Sequence, residues 1–156
     1  MIFPEDMLVR LALFALGLAG FLVARHVMKH KKSEVHPLVC MAGFDCDAVV
    51  HSDYSRFLGI PVELLGMLYY GAVTLFYLSI LFIPGILHTA LIGAMVLISS
   101  VAFLFSLYLI AVQIFILRKG CSWCFVSAGI STMIFTITFL FYDIGTVLTT
   151  SLEYLK

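Results

Sequence analysis

The chain has 156 residues, of which 63% are hydrophobic and 12% charged, with a mean hydropathy of +1.14. Soluble domains are about half apolar and about a quarter charged, so this composition excludes an ordinary water-soluble fold and, at this length, points to one membrane domain. The formal net charge of zero gives no pointer to nucleic acid, and no nucleic-acid partner is expected.

A membrane-spanning helix needs about 20 mostly apolar residues. The first is predicted over about 7–28, with Arg10 and Arg25 near its ends, where long side chains snorkel. This run is longer than the ~7–15-residue core of a signal peptide, and no small-x-small cleavage site follows it, so a retained helix is expected. The next connection, about 29–60, is too long for a simple turn; connections of roughly 30 residues are usually functional or partly structured. In its second half Val50, Tyr54, Phe57 and Leu58 fall at i, i+4, i+7 and i+8 among polar residues. That is the period of an amphipathic helix, with Asp47 as its expected cap, lying at the membrane surface as a roof. The second span is predicted over about 61–83; Pro61 suits a first turn and Pro84-Gly85 ends it. The third covers about 87–117 and is closed by Arg118-Lys119-Gly120. The fourth covers about 121–143, fading near Tyr142-Asp143. Between Phe57 and Leu117 the only formal charge is Glu63, which reads, like Asp143, as a boundary residue. The expected fold is therefore all-α: a bundle of four transmembrane helices, with a partly helical loop between the first two covering it.

The sequence has four cysteines: Cys40, Cys46, Cys121 and Cys124. Free cysteines also serve as small apolar core residues. Here, however, all four lie in or beside connections between spans, and two form a C-x-x-C, which favours thiol chemistry. With four crossings, the first and third connections share one side of the membrane, so all four thiols share one face. If the fourth helix starts near Gly120, the C-x-x-C occupies its first turn, where unpaired amides and the helix dipole favour a thiolate. Arg118 and Lys119 add positive charge nearby. Residues three apart share a helix face. Cys124 lies about 4.5 Å further in than Cys121, at ~1.5 Å per residue. Cys121 is then placed toward the loop and a protein disulfide, and Cys124 toward a lipid-soluble electron carrier. Four thiolates also suit zinc, but five residues between Cys40 and Cys46 do not make a second tight knuckle, and no metal is expected. Phe125 stands where a C-x-x-C-H haem attachment needs histidine. His26, His30 and His36 read as a wetted juxtamembrane stretch.

The stretch Cys46-Asp47-Ala48-Val49-Val50-His51-Ser52-Asp53-Tyr54-Ser55, followed by Gly59-Ile60-Pro61 and Leu65-Gly66-Met67-Leu68-Tyr69-Tyr70, resembles the vitamin K epoxide reductase family, in particular its prokaryotic branch. Cys121-Ser122-Trp123-Cys124 completes the likeness, which covers almost the whole chain in order. The resemblance implies that Cys124 contacts a quinone of the ubiquinone or menaquinone type, and that Cys121 is its partner, attacked by Cys46. It implies that Cys40 exchanges with a thioredoxin-like protein, here a separate one, since the chain ends at Lys156 with no fused redoxin. Ser52 matches the family's loop serine or threonine near the quinone, although helical spacing puts it on the polar face. The vertebrate pattern is not followed: the sequence has no asparagine, and Ala128 stands where those enzymes carry a tyrosine. Oxidation of a partner's thiols, supporting disulfide formation, is expected in place of epoxide reduction. A DsbB-like quinone-linked oxidase is the nearest alternative, but there the C-x-x-C lies in the first connection. A structural subunit with a stabilising disulfide is the other.

Arg25, Lys29, Lys31, Lys32, Arg56, Arg118 and Lys119 lie on the cysteine side, against Arg10 and Lys156 opposite, seven to two. The positive-inside rule then puts the cysteines in the cytoplasm, an inverted topology, since most of the family acts on the extracytoplasmic side. An extracytoplasmic face is the alternative.

Overall fold

The computed structural model describes residues 4–33, 38–83, 89–141 and 152. His36, Pro84-Gly85, Tyr142-Asp143 and Lys156, singled out in the sequence, lie outside these residues. Among the described residues there are four long helices: α1 (Pro4–Lys31), α3 (Val62–Phe82), α4 (Thr89–Ala111) and α5 (Ser122–Phe141). Each is long and apolar enough to cross a membrane, the third span continuing to Leu117. The expected four-helix membrane bundle is the fold observed.

The helices are apolar nearly all round, as membrane spans are. What sorts their faces is packing. α1 packs along α3 and α5, and α4 packs on α5, whereas α3 and α4 touch only slightly. Leu13, Tyr70, Val73, Tyr77, Ile80 and Ile134 form the core of the α1–α3–α5 contact. In contrast, Leu68, Leu75, Leu97, Leu104 and Met133 point outward. Gly20 lets α1 pack against the Tyr70 ring of α3, because any side chain there would overlap that ring. Tyr70 is itself tied to α5, its hydroxyl donating to the Ser127 carbonyl (2.6 Å). The slight contact between α3 and α4 leaves a gap that the site uses.

The connection after α1 is only partly helical. A short helix, α2 (Cys46–Val50), is capped by Asp45 rather than Asp47, the Asp45 carboxylate accepting from the Ala48 amide (3.2 Å). A 3₁₀ turn follows at Asp53–Ser55. The period that suggested continued helix through Phe57 and Leu58 is instead met by a small antiparallel hairpin, β1 (Arg56–Phe57) against β2 (Ile60–Pro61). Its two turn residues, Leu58 (φ 52°) and Gly59 (φ 83°), both have positive φ. That is the backbone of a two-residue hairpin turn and ends any helix. A single Gly59 in a short apolar run was too weak a signal to outweigh the helical spacing.

Lys31, at the end of α1, holds this connection to α3. Its ammonium donates to both Glu63 oxygens (3.2 and 3.1 Å) and to Ser55 Oγ (3.1 Å). Glu63 is thus the partner of a largely buried ion pair, a role that its position as the sole charge of the region left open.

Candidate active site

The cysteines lie where the loop after α1 meets the start of α5. Cys40 and Cys46 are joined as a disulfide, with a Cα–Cα distance of 6.0 Å; Cys121 and Cys124 are free thiols. Cys46 and Cys121 share a buried apolar cluster with Val27, Leu38, Val49 and Val50, against which Cys40 and Cys124 pack. The two pairs therefore meet across one dry contact. Ser122, inside the C-x-x-C, lies between them: its hydroxyl donates to Cys40 Sγ (3.3 Å) and lies 3.7 Å from Cys46 Sγ.

Several bonds staple the loop to this turn. The Asp45 amide donates to the Gly120 carbonyl (3.0 Å), Lys119 Nζ to the Asp45 carboxylate (2.7 Å), and Trp123 Nε1 to the Val39 carbonyl (3.0 Å). The Lys119 hydrogen bond, with that of the Ala48 amide, holds the Asp45 carboxyl below its usual range. Lys119 is therefore engaged by Asp45, and the thiols draw their stabilisation from another source.

That source is local. Cys121 immediately precedes α5 and stands in the capping position, its carbonyl accepting the Phe125 amide (3.0 Å). The Cys124 thiol donates to Cys121 Sγ (2.7 Å), and the Cys124 amide donates to the same sulfur (3.3 Å). These bonds hold the Cys121 thiol below its ordinary value although burial opposes it. Orphan amides of a first helical turn favour a thiolate, and here they favour it on Cys121.

The Cys121 amide is itself held by Gln113, whose Oε1 accepts from it at 3.1 Å in a buried setting. Gln113 belongs to a π-helical turn, Val112–Leu117, that closes α4 and ends at Arg118 in the left-handed region (φ 49°). The amides of Arg118 and Lys119 both return to the Gln113 carbonyl. One residue thus fixes the turn before the C-x-x-C and the first cysteine within it. Sequence reasoning passed over Gln113, although the one glutamine of the chain inside an apolar span was a usable signal.

Cys124 opens on a cavity of about 460 Å³ in the gap between α3 and α4. Its walls are mostly apolar, including Ala24, Ile98, Phe105 and Trp123, and Glu63 and Gln113 stand on its lining with Cys124. Cys121 does not line it. Cys121 stands against the other cysteine pair, and Cys124 stands on the cavity. Ser52 does not line the large cavity. Its hydroxyl turns back to the Val49 carbonyl (2.7 Å), and it borders a side cleft of about 40 Å³ shared with Cys124, Glu63 and Gln113. Because α2 ends at Val50, the polar face on which spacing put Ser52 does not exist. The His26 ring lies tilted against those of Trp123 (4.7 Å between centroids) and His30 (4.4 Å), so this part of the histidine stretch packs against the site.

Mostly apolar clefts of some hundreds of Å³ with a few polar groups are typical small-molecule sites. Residues 7–139 match the sequence model of the vitamin K epoxide reductase family. None of the curated proteins searched matches the chain.

Proposed function

The chain belongs to the vitamin K epoxide reductase family, whose members are membrane disulfide oxidoreductases, and from this we propose that it oxidises a thioredoxin-like protein and passes the electrons to a membrane quinone. The observation that carries the reading is the division of the four cysteines. A disulfide lies against a dithiol, and only the far thiol of that dithiol opens on an apolar cavity among the spans.

The steps balance in electrons and atoms. A thiolate of the partner attacks Cys40, forming a mixed disulfide and releasing Cys46. The partner's second thiolate then displaces Cys40, so the partner leaves oxidised and Cys40 and Cys46 leave as thiols. Cys46 attacks Cys121 of an oxidised C-x-x-C and frees Cys124; Cys40 displaces Cys121, which restores the outer disulfide and leaves Cys121 and Cys124 reduced. That is the redox state of the four thiols described above. Two electrons and two hydrogens then pass from this dithiol to the quinone, giving the quinol and the Cys121–Cys124 disulfide. The hydrogen-bonded Cys121 sulfur suits the exchange position, because a thiolate is the competent form and a stabilised one leaves readily.

Trapping tests the relay. With a thioredoxin-like protein whose second cysteine is changed to serine, the remaining thiolate should open the Cys40–Cys46 disulfide and stay joined to Cys40 as a mixed disulfide that reductant releases; an unsubstituted chain that yields no such adduct, or a Cys40→Ser chain that still yields it, contradicts the reading. The cysteine face is proposed to be cytoplasmic, on the support of the seven-to-two distribution of Lys and Arg. After reduction, a membrane-impermeant maleimide should leave Cys40 unlabelled in intact cells; strong labelling from outside contradicts this orientation.

A further inference from the structure

Ser122 opens α5 and reaches both sulfurs of the outer disulfide: its hydroxyl donates to Cys40 Sγ (3.3 Å) and lies 3.7 Å from Cys46 Sγ. Two of the bonds that staple the loop to this turn fix the arrangement. The Trp123 indole donates to the carbonyl of Val39, the residue before Cys40. The Gly120 carbonyl accepts from the amide of Asp45, the residue before Cys46. Each outer cysteine is thereby registered against the turn that carries Ser122, and the exchange steps above leave its hydroxyl without a task.

The burial of the two sulfurs says what that task is. Cys40 keeps accessible surface, whereas Cys46 is only 1% exposed and sits in an apolar cluster with Val27, Leu38, Val49 and Val50. Attack on Cys40 puts the negative charge of the broken bond on Cys46. A charge in such surroundings is costly unless it is hydrogen-bonded. The charged side chains flanking Cys46 are engaged elsewhere: Asp45 with Lys119 (2.7 Å), and Asp47 beside His51 Nδ1 (3.3 Å). The Cys124 thiol and amide go to Cys121. Among the described residues, the Ser122 hydroxyl is the one hydrogen-bond donor within reach of Cys46 Sγ. A hydroxyl carries one hydrogen and turns about its own C–O bond, so it passes from Cys40 to Cys46 with no movement of either segment.

We propose that Ser122 is a catalytic residue of the outer exchange: its hydroxyl receives the Cys46 thiolate as the partner opens the disulfide, and holds it for attack on Cys121. The inference rests on the relay reading above and adds the group that stabilises its leaving sulfur. In the first step a partner sulfur–Cys40 bond forms and the Cys40–Cys46 bond breaks, with the electron pair going to Cys46 Sγ. Ser122 keeps its proton throughout and supplies only a hydrogen bond. A donor aimed at an atom that gains negative charge lowers the barrier to that charge. The same bond keeps Cys46 as a thiolate, the form that attacks the next disulfide.

The outer disulfide is isolated in the full chain by changing Cys121 and Cys124 to alanine, and its opening by dithiothreitol is followed at fixed pH. A hydrogen bond to a charged group favours the charged form about 10- to 150-fold. With roughly half of that charge developed as the bond breaks, Ser122→Ala should slow opening about 3- to 12-fold. Ser122→Thr, which keeps the hydroxyl, should stay within about 2-fold of the serine protein, a margin of less than one hydrogen bond. A second readout uses the chain with Cys46 as its one cysteine, the others changed to alanine. There, Ser122→Ala should move the pH at which iodoacetamide labelling of Cys46 rises upward by about 1–2, the same 10- to 150-fold on a logarithmic scale. A serine that merely packs the loop predicts the opposite rate effect, because a loosened loop exposes the disulfide and speeds its reduction. Unchanged or faster opening in Ser122→Ala, equal slowing in Ser122→Thr, or an unmoved labelling profile would each overturn the proposal. Any of these, combined with the partner's mixed disulfide on Cys40 described above, would leave the relay standing. Absence of that mixed disulfide from the unsubstituted chain would remove both.

Discussion

Replacing Gln113 by leucine removes one acceptor from one buried amide while roughly preserving volume. In the structure the Cys121 amide has Gln113 Oε1 as its acceptor at 3.1 Å, and Cys121 is fully buried. Leaving a buried donor unmade costs about 1–3 kcal/mol. If that cost falls on the turn that presents the C-x-x-C, it corresponds to about a 5- to 150-fold loss of correctly formed sites, at ~1.36 kcal/mol per tenfold. Single-turnover quinol formation by the reduced Gln113→Leu protein should fall within that range, and unfolding in detergent should show the matching loss of stability. Because Arg118 and Lys119 return to the Gln113 backbone carbonyl, which the substitution keeps, the π-helical turn itself should survive. Wild-type stability together with wild-type turnover in Gln113→Leu would refute the role given to this bond.

Other consequences follow from the same contacts. In a background with Cys40 and Cys46 both changed to serine, alkylation of Cys121 should persist as pH falls below the ordinary thiol value of ~8.5, because the Cys124 thiol and amide hold the Cys121 pKa down. Protonation suppresses the reaction, so the rate rises with pH in every variant. Cys124→Ala, which removes the thiol donor, should shift that rise to higher pH; an unmoved profile contradicts the assignment. Glu63→Gln should destabilise the protein by up to about 3–5 kcal/mol, less whatever solvent reaches the partly exposed pair, whereas the double change Lys31→Met with Glu63→Leu should recover most of it in an unfolding titration. Gly20→Ala should lower stability because its methyl overlaps the Tyr70 ring; overpacking costs about 1–3 kcal/mol against roughly 1 kcal/mol of helix propensity gained.

The spans and the thiol chemistry were legible in the sequence because each rests on a local signal. Hydropathy over some 20 residues marks a crossing, and the C-x-x-C at the start of the last span marks its own first turn. Parity then brought four distant cysteines to one face without any knowledge of packing. What stayed hidden depended on contacts between segments. The Lys31–Glu63 pair joins residues 32 apart in sequence, and the Lys119–Asp45 pair joins residues 74 apart. Neither has a periodicity to betray it. The hairpin at Arg56–Pro61 was masked because four apolar positions matched a helical period by chance, while the decisive feature was backbone φ at Leu58 and Gly59. The charge that seemed available to the thiols from Lys119 is taken up by Asp45, and the stabilisation of Cys121 comes from its own helix turn.

The most direct test of the relay adds quinone to the purified, fully reduced protein and follows thiols and quinol together. One quinol should form for each pair of thiols lost. Cys40→Ser should still support this single turnover, and Cys124→Ser should abolish it. Quinol formation that survives in Cys124→Ser would contradict the central claim that Cys124 is the thiol that delivers electrons to the cavity.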